Sequence, residues 1–149
     1  RLMGSTAPRV KVALLAELQS LYTAPVQVVY GPPGTDQEDD IVCVGNARST
    51  QDLATMSPQR RREETLDVDV IVSCFRGGGT ESQQSVTERA YELLAELEDH
   101  LQGAGYDLGG AVRLARVTSH ELVDAADPEI LVKGRVSEIT ATVTCHVRI

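Results

Sequence analysis

Residues 138–149 read EITATVTCHVRI, and this stretch decides the fold. Ile139, Ala141, Val143, Cys145, Val147 and Ile149 fall on one side of a two-residue repeat. Glu138, Thr140, Thr142, Thr144, His146 and Arg148 take the other. Successive side chains of a strand point to opposite faces, so this pattern predicts a strand with one apolar and one polar face. A sheet of such strands needs a cover on one face only.

Partner strands are legible upstream. In ETLDVDVIVSCF, residues 64–75, Leu66, Val68, Val70 and Val72 share a face opposite Asp67 and Asp69, until Ile71 interrupts the polar side. Shorter apolar runs stand at APVQVVYG (24–31), IVCVG (41–45) and AVRLARVTSHELV (111–123). The cover is legible too. Val10, Leu14, Leu18 and Leu21 recur at helical spacing between Pro8 and Tyr22. A second helix is predicted from Thr80 to Gln102. There Val86, Ala90, Leu93, Leu94, Leu97 and Leu101 make an apolar stripe opposite Glu88, Glu92, Glu96 and Asp99, and Gly103 and Gly105 end it. The segment EILVKGRVSEITATVTCHVRI (129–149) after the Ala-Asp-Pro turn is read as one long strand that alternates in its final part. The order α-β-β-β-α-β-β, with strands grouped on either side of a helix, predicts an α+β fold. Its sheet is mostly antiparallel and packed by two main helices. Residues 1–149 form one domain, with 1–6 expected to be loose. Residues 46–63, NARSTQDLATMSPQRRRE, show no period and are expected to form an irregular loop.

Composition narrows the function. Hydrophobic residues at 42% suffice for a core, and aromatics at 3% leave no stacking platform for single-stranded nucleic acid. A net charge of −8 gives no general basic footprint for gripping DNA. No run of apolar residues is long enough to cross a membrane, and RLMGSTAP lacks the apolar core of a signal peptide. Cys43, Cys74 and Cys145 are widely spaced in apolar runs and read as buried free thiols, as a reducing compartment would allow. His100, His120 and His146 have no neighbouring ligand at zinc spacing.

Two segments carry candidate sites. In VIVSCFRGGGTESQQSVTERA, residues 70–90, a strand meets three glycines and then a helix, an arrangement that can hold a phosphate. It lacks the Lys of a P-loop and the third glycine of a dinucleotide fingerprint. A sharp turn capped by Thr80–Gln83 or Ser85–Glu88 is the simpler reading, and Arg76 keeps a small phosphate-binding enzyme over Arg76–Ser82 as the alternative. The second segment is RRREE. Arg60, Arg61, Arg62, Glu63 and Glu64, with Arg48, form a mixed-charge set that could select a partner at a subunit interface. The pair Asp67 and Asp69 reads as the polar face of a strand.

The wording of four segments adds a resemblance. ETLDVDVIVSCFRGG (64–78), ERAYELLAELEDHL (88–101), LGGAVRLARVTSHEL (108–122) and GRVSEITATVTCHVRI (134–149) together resemble the tail terminator proteins of long-tailed (siphovirus-type) bacteriophages. The likeness runs from about Ala7 to the C-terminus and lies in element order rather than in a catalytic motif. It implies a structural virion protein without catalysis or cofactor. Such a subunit forms a hexameric ring at the head-proximal end of the tail tube, stops tube polymerisation and joins the tail to the head connector or stopper protein. Genomic DNA passes through the lumen without sequence-specific binding. A neighbouring head–tail joining or neck protein is the alternative within the same virion. No residue is carried over from the family.

Overall fold

The computed structural model describes residues 4–34, 37–53, 62–124 and 128–148. Helix α1 spans Ala7–Leu21, followed by strands β1 (Gln27–Tyr30), β2 (Asp40–Leu53) and β3 (Arg62–Gly77). A 3₁₀ turn at Thr80–Ser82 leads into α2 (Gln83–Gln102), and another at Leu108–Gly110 leads into β4 (Leu114–Asp124). The short helix α3 (Pro128–Lys133) then precedes β5 (Gly134–Arg148). The sheet order is β1-β2-β3-β5-β4. Among the described residues only β1–β2 is a parallel pair, and the other three pairings are antiparallel. The α+β class and the two main helices agree with the sequence.

The alternation read from β5 sets the register. Leu66, Val68, Val70 and Val72 of β3 stand opposite Cys145, Val143, Ala141 and Ile139 of β5. All eight face the helices and are fully buried. Val10, Leu14 and Leu18 of α1 and the six stripe residues of α2 close this core. Full burial of one such aliphatic side chain is worth about 1.5–3 kcal/mol, so this single layer supplies most of the driving force. Both helices lie on one side. The other face of the sheet, carrying Thr65, Asp67, Asp69, Thr140, Thr142 and Thr144, has no helix over it among the described residues.

Three expectations change. The predicted irregular loop at 46–63 is strand over its described residues: β2 continues to Leu53 and β3 begins at Arg62, while residues 54–61 lie outside the described set. A bulge hid it. Val44 pairs with Val70 and Ala47 with Val68, so Gly45 and Asn46 together oppose one residue of β3. The extra residue shifts the alternation and erases the period. The closing segment adds a helix that the predicted order lacks, because Pro128 starts α3, at a position where its missing N–H costs nothing, before β5 begins at Gly134. Finally, the loose start does not extend to Ser5 and Thr6, which are hydrogen-bonded to Glu64, and residues 1–3 lie outside the described set. A second bulge lies in β4, where Val117 pairs with Val143 but Ser119 with Thr142, leaving Thr118 unopposed.

Gly134, opposite Gly77, begins β5 under close contact: a Cβ there would stand 2.2 Å from the Arg76 carbonyl oxygen and 2.8 Å from the Phe75 ring. Backbone on one side and a packed ring on the other leave little room to yield. Gly134→Ala is therefore expected to destabilise the fold by about 1–3 kcal/mol, the usual cost of overpacking. Chemical denaturation with an unchanged m-value checks this, and an unchanged midpoint would contradict it.

Candidate functional site

The glycine segment resolves into a turn in which the Gly79 amide and the Ser82 hydroxyl bond within the chain. Gly78 adopts φ +112°, and a Cβ there would lie 2.7 Å from Ser82 Oγ. Gly79 N–H donates to Glu81 Oε1 at 2.9 Å, so a carboxylate of the chain itself occupies the amide a phosphate would use. Ser82 Oγ donates to the Gly77 carbonyl at 2.9 Å. Neither predicted capping box forms. Ser82 is the N-cap residue of α2, and its hydroxyl turns back to the strand instead of to a helix amide.

Arg76 is engaged as well. Its guanidinium forms a fork with Asp40, at 2.8 and 3.3 Å, and also donates to the Phe75 carbonyl at 2.6 Å. Arg89 of α2 approaches the same carboxylate at 3.0 Å and reaches Glu92 at 3.0 Å. Asp40 is only 5% exposed. Burial pushes its carboxyl up, but the bonds from Arg76 and Arg89 outweigh it and hold the group below its ordinary value. The node ties the start of β2, the end of β3 and α2 together. Arg76→Ala is expected to lower stability by about 1.5–3 kcal/mol, the range for a hydrogen bond to a charged group. A nucleotide panel at millimolar concentration is expected to leave the melting temperature unchanged; a rise would restore the phosphate reading.

The mixed-charge set divides. Arg60 and Arg61 lie outside the described residues, and Arg62 opens β3 with its side chain outside them too. Arg48 lies on the open face and forms a fork with Asp69, at 3.0 and 3.3 Å. Beside it, Thr144 donates to Asp67 at 2.7 Å and contacts Thr118 at 2.8 Å. Glu63 is surface-placed and accepts from Arg113, with Arg148 3.9 Å away.

Glu64 does not belong to the surface set. It sits on the helix side of β3, fully buried, with no surface to offer a neighbour. Its carboxylate accepts from Ser5 Oγ and Ser49 Oγ, from Thr6 N–H at 2.8 Å and from Thr6 Oγ1 at 2.6 Å. It therefore caps the start of α1 from a remote strand, where a negative charge also suits the helix dipole. Thr6 is the N-cap residue of α1, and its hydroxyl goes to Glu64 rather than to a helix amide. Burial pushes the Glu64 carboxyl up, but the bonds from Ser49, Ser5 and Thr6 prevail and bring it down to about 2. A depressed carboxyl stabilises the fold above its unfolded value of 4.5, and the contribution is lost as pH falls from there toward about 2. Glu64→Gln is expected to cost about 1–3 kcal/mol at neutral pH. The gap to the parent chain should close as pH falls from 4.5 to 2; a gap independent of pH would contradict the assignment.

The remaining candidates are structural in placement. Cys74 and Cys145 are buried on the helix face, where burial pushes both thiols up to about 12. Cys43 is buried near the open face. His100 meets Glu17 at 3.0 Å, joining α2 to α1, and a Cβ on Gly105 would collide with its ring. His120 packs edge-on against Tyr91, with ring centroids 5.4 Å apart. Among the described residues no three His, Cys, Asp or Glu side chains converge as a metal site. None of their helices is long and apolar enough to cross a membrane. The residues that sequence reasoning missed are Asp40 and Arg89, whose meeting depends on the path of β2. It also missed a groove of about 460 Å³ on the open face beside Pro32 and Pro33. No family model matches the chain, and no curated protein matches it.

Proposed function

We propose that this chain is a ring subunit of a bacteriophage tail terminator, a structural virion protein rather than an enzyme. Six copies cap the head-proximal end of the tail tube, end its polymerisation and meet the head connector or stopper protein. DNA passes through the lumen. The resemblance in the sequence motivates the reading, and one structural observation supports it. The sheet is open at both lateral edges among the described residues. The outer edge of β4 has no strand partner, and β1 covers β2 only from Ile41 to Val44. Two different open edges on opposite sides suit a head-to-tail contact, which closes into a ring when repeated by rotation alone. The net charge of −8 suits a lumen through which a polyanion slides without being held.

Light scattering on the chain, alone and mixed with tail tube protein, tests this. A mass of about 97 kDa for six 16.1 kDa copies, or a ring that appears only on the tube, is the expected result. A monomer or dimer that ignores the tube would overturn it.

A further inference from the structure

The open face changes character along its strands. Where it carries Asp67, Asp69 and Thr144 it is polar and its carboxylates are matched: Arg48 meets Asp69, and Thr144 donates to Asp67. Toward the other end, strand parity sets Ile41, Cys43, Ile71, Phe75 and Val136 on the same face. Between them these five line a groove of about 460 Å³ and an adjoining hollow of about 360 Å³, which share Ile41 and Ser73. Gly45, at the bulge, leaves the groove clear beside Ile71, since a Cβ there would stand 3.3 Å from Ile71 Cδ1. An apolar hollow with a few polar groups on its walls is the usual form of a binding site.

One polar group there lacks a counterpart. Glu138 stands on the groove wall and forms no hydrogen bond or ion pair among the described residues. Its partners across the sheet are Ser73 on β3 and Val123 on β4, and neither carries a positive charge. Glu121, which pairs with Thr140 on the same face, adds a second carboxylate nearby. Lys133 lies in the adjoining hollow with Glu38 and Asp39, outnumbered by acids of its own chain. The groove therefore joins an apolar floor to a carboxylate that no cation of the chain meets, a field that favours a positive ligand. It is open along one side, so a free small molecule would keep much of its surface in water, whereas small-molecule sites bury most of their ligand. A protein segment, held elsewhere by its own fold, does not need that enclosure.

We propose that the groove receives a segment of a partner protein that carries an aliphatic side chain beside a lysine or arginine. The aliphatic group packs on Ile41 and Ile71, and the cation meets Glu138. This contact does not rest on the ring reading. Saturation-transfer NMR on the full chain, with terminally blocked tripeptides as probes, tests it. Leu-Arg-Leu is expected to bind through its methyl groups, while Leu-Glu-Leu and Gly-Arg-Gly do not. Glu138→Gln should weaken Leu-Arg-Leu roughly two- to fivefold at an unchanged melting temperature, the effect of one partly exposed ion pair. Glu96→Gln, the same charge change on α2, should leave binding unaltered. Equal weakening by both variants, or equal binding of Leu-Arg-Leu and Leu-Glu-Leu, would overturn the site. Hexylammonium that binds as tightly as Leu-Arg-Leu would give the groove to a free amine and overturn the segment as its occupant. Light scattering on Glu138→Lys should return the mass of the parent chain; an assembly lost in this variant would give the groove to a second copy and overturn the proposal as well.

Discussion

The β3–β5 pairing is the constraint on which the rest of the molecule depends. It joins the two longest strands in the middle of the sheet and brings eight buried aliphatic or thiol side chains under the helices. A slip of one residue in either strand would turn its whole set to the open face and bring threonines and aspartates beneath α2. Against a typical net stability of about 5–15 kcal/mol, a loss of about 1.5–3 kcal/mol per displaced aliphatic side chain leaves no competing register. The outer strands then adapt to this centre. Both β2 and β4 carry a bulge, and each returns its strand to the phase the core requires.

Apolar packing fixes the layers but is non-directional, so it does not by itself fix where the helices stop. Two buried carboxylates provide direction at opposite ends of the sheet. Glu64 holds the start of α1 through hydroxyl and amide donors. Asp40 holds the first half of α2 through Arg89 while it anchors Arg76 at the end of β3. Tyr22 adds a third tie, its hydroxyl donating to the Leu93 carbonyl between the two helices. Each carboxylate is satisfied by several donors, the condition under which burying a charge is tolerable.

What the sequence disclosed follows from where its signals are local. Alternation in β3 and β5 and the stripes of α1 and α2 depend only on neighbours in the chain, and all four elements were legible. The second half of β2 was not, because Gly45 and Asn46 interrupt the two-residue repeat and the strand beyond them is polar on both faces. Helix α3 was hidden by the apolar run Ile130–Val132, which suits a strand equally well. The functional segments were harder still. Glu64 and Glu63 are adjacent in sequence and look alike, yet strand parity sends one into the core and the other to the surface. Arg76 beside three glycines suggested a ligand; its true partner lies 36 residues earlier, at a distance no local pattern encodes.

The bulge at Thr118 has a consequence for the free protein at high concentration. A straight, bare strand edge is a template for indiscriminate pairing, and newly made chains crowded together would stack through it. The kink at Thr118 breaks the even run of backbone donors and acceptors along β4, and Arg116, His120 and Glu121 place polar and charged side chains around the break. The break in the ladder thereby makes the β4 edge a poor template for pairing with copies of the chain in arbitrary registers.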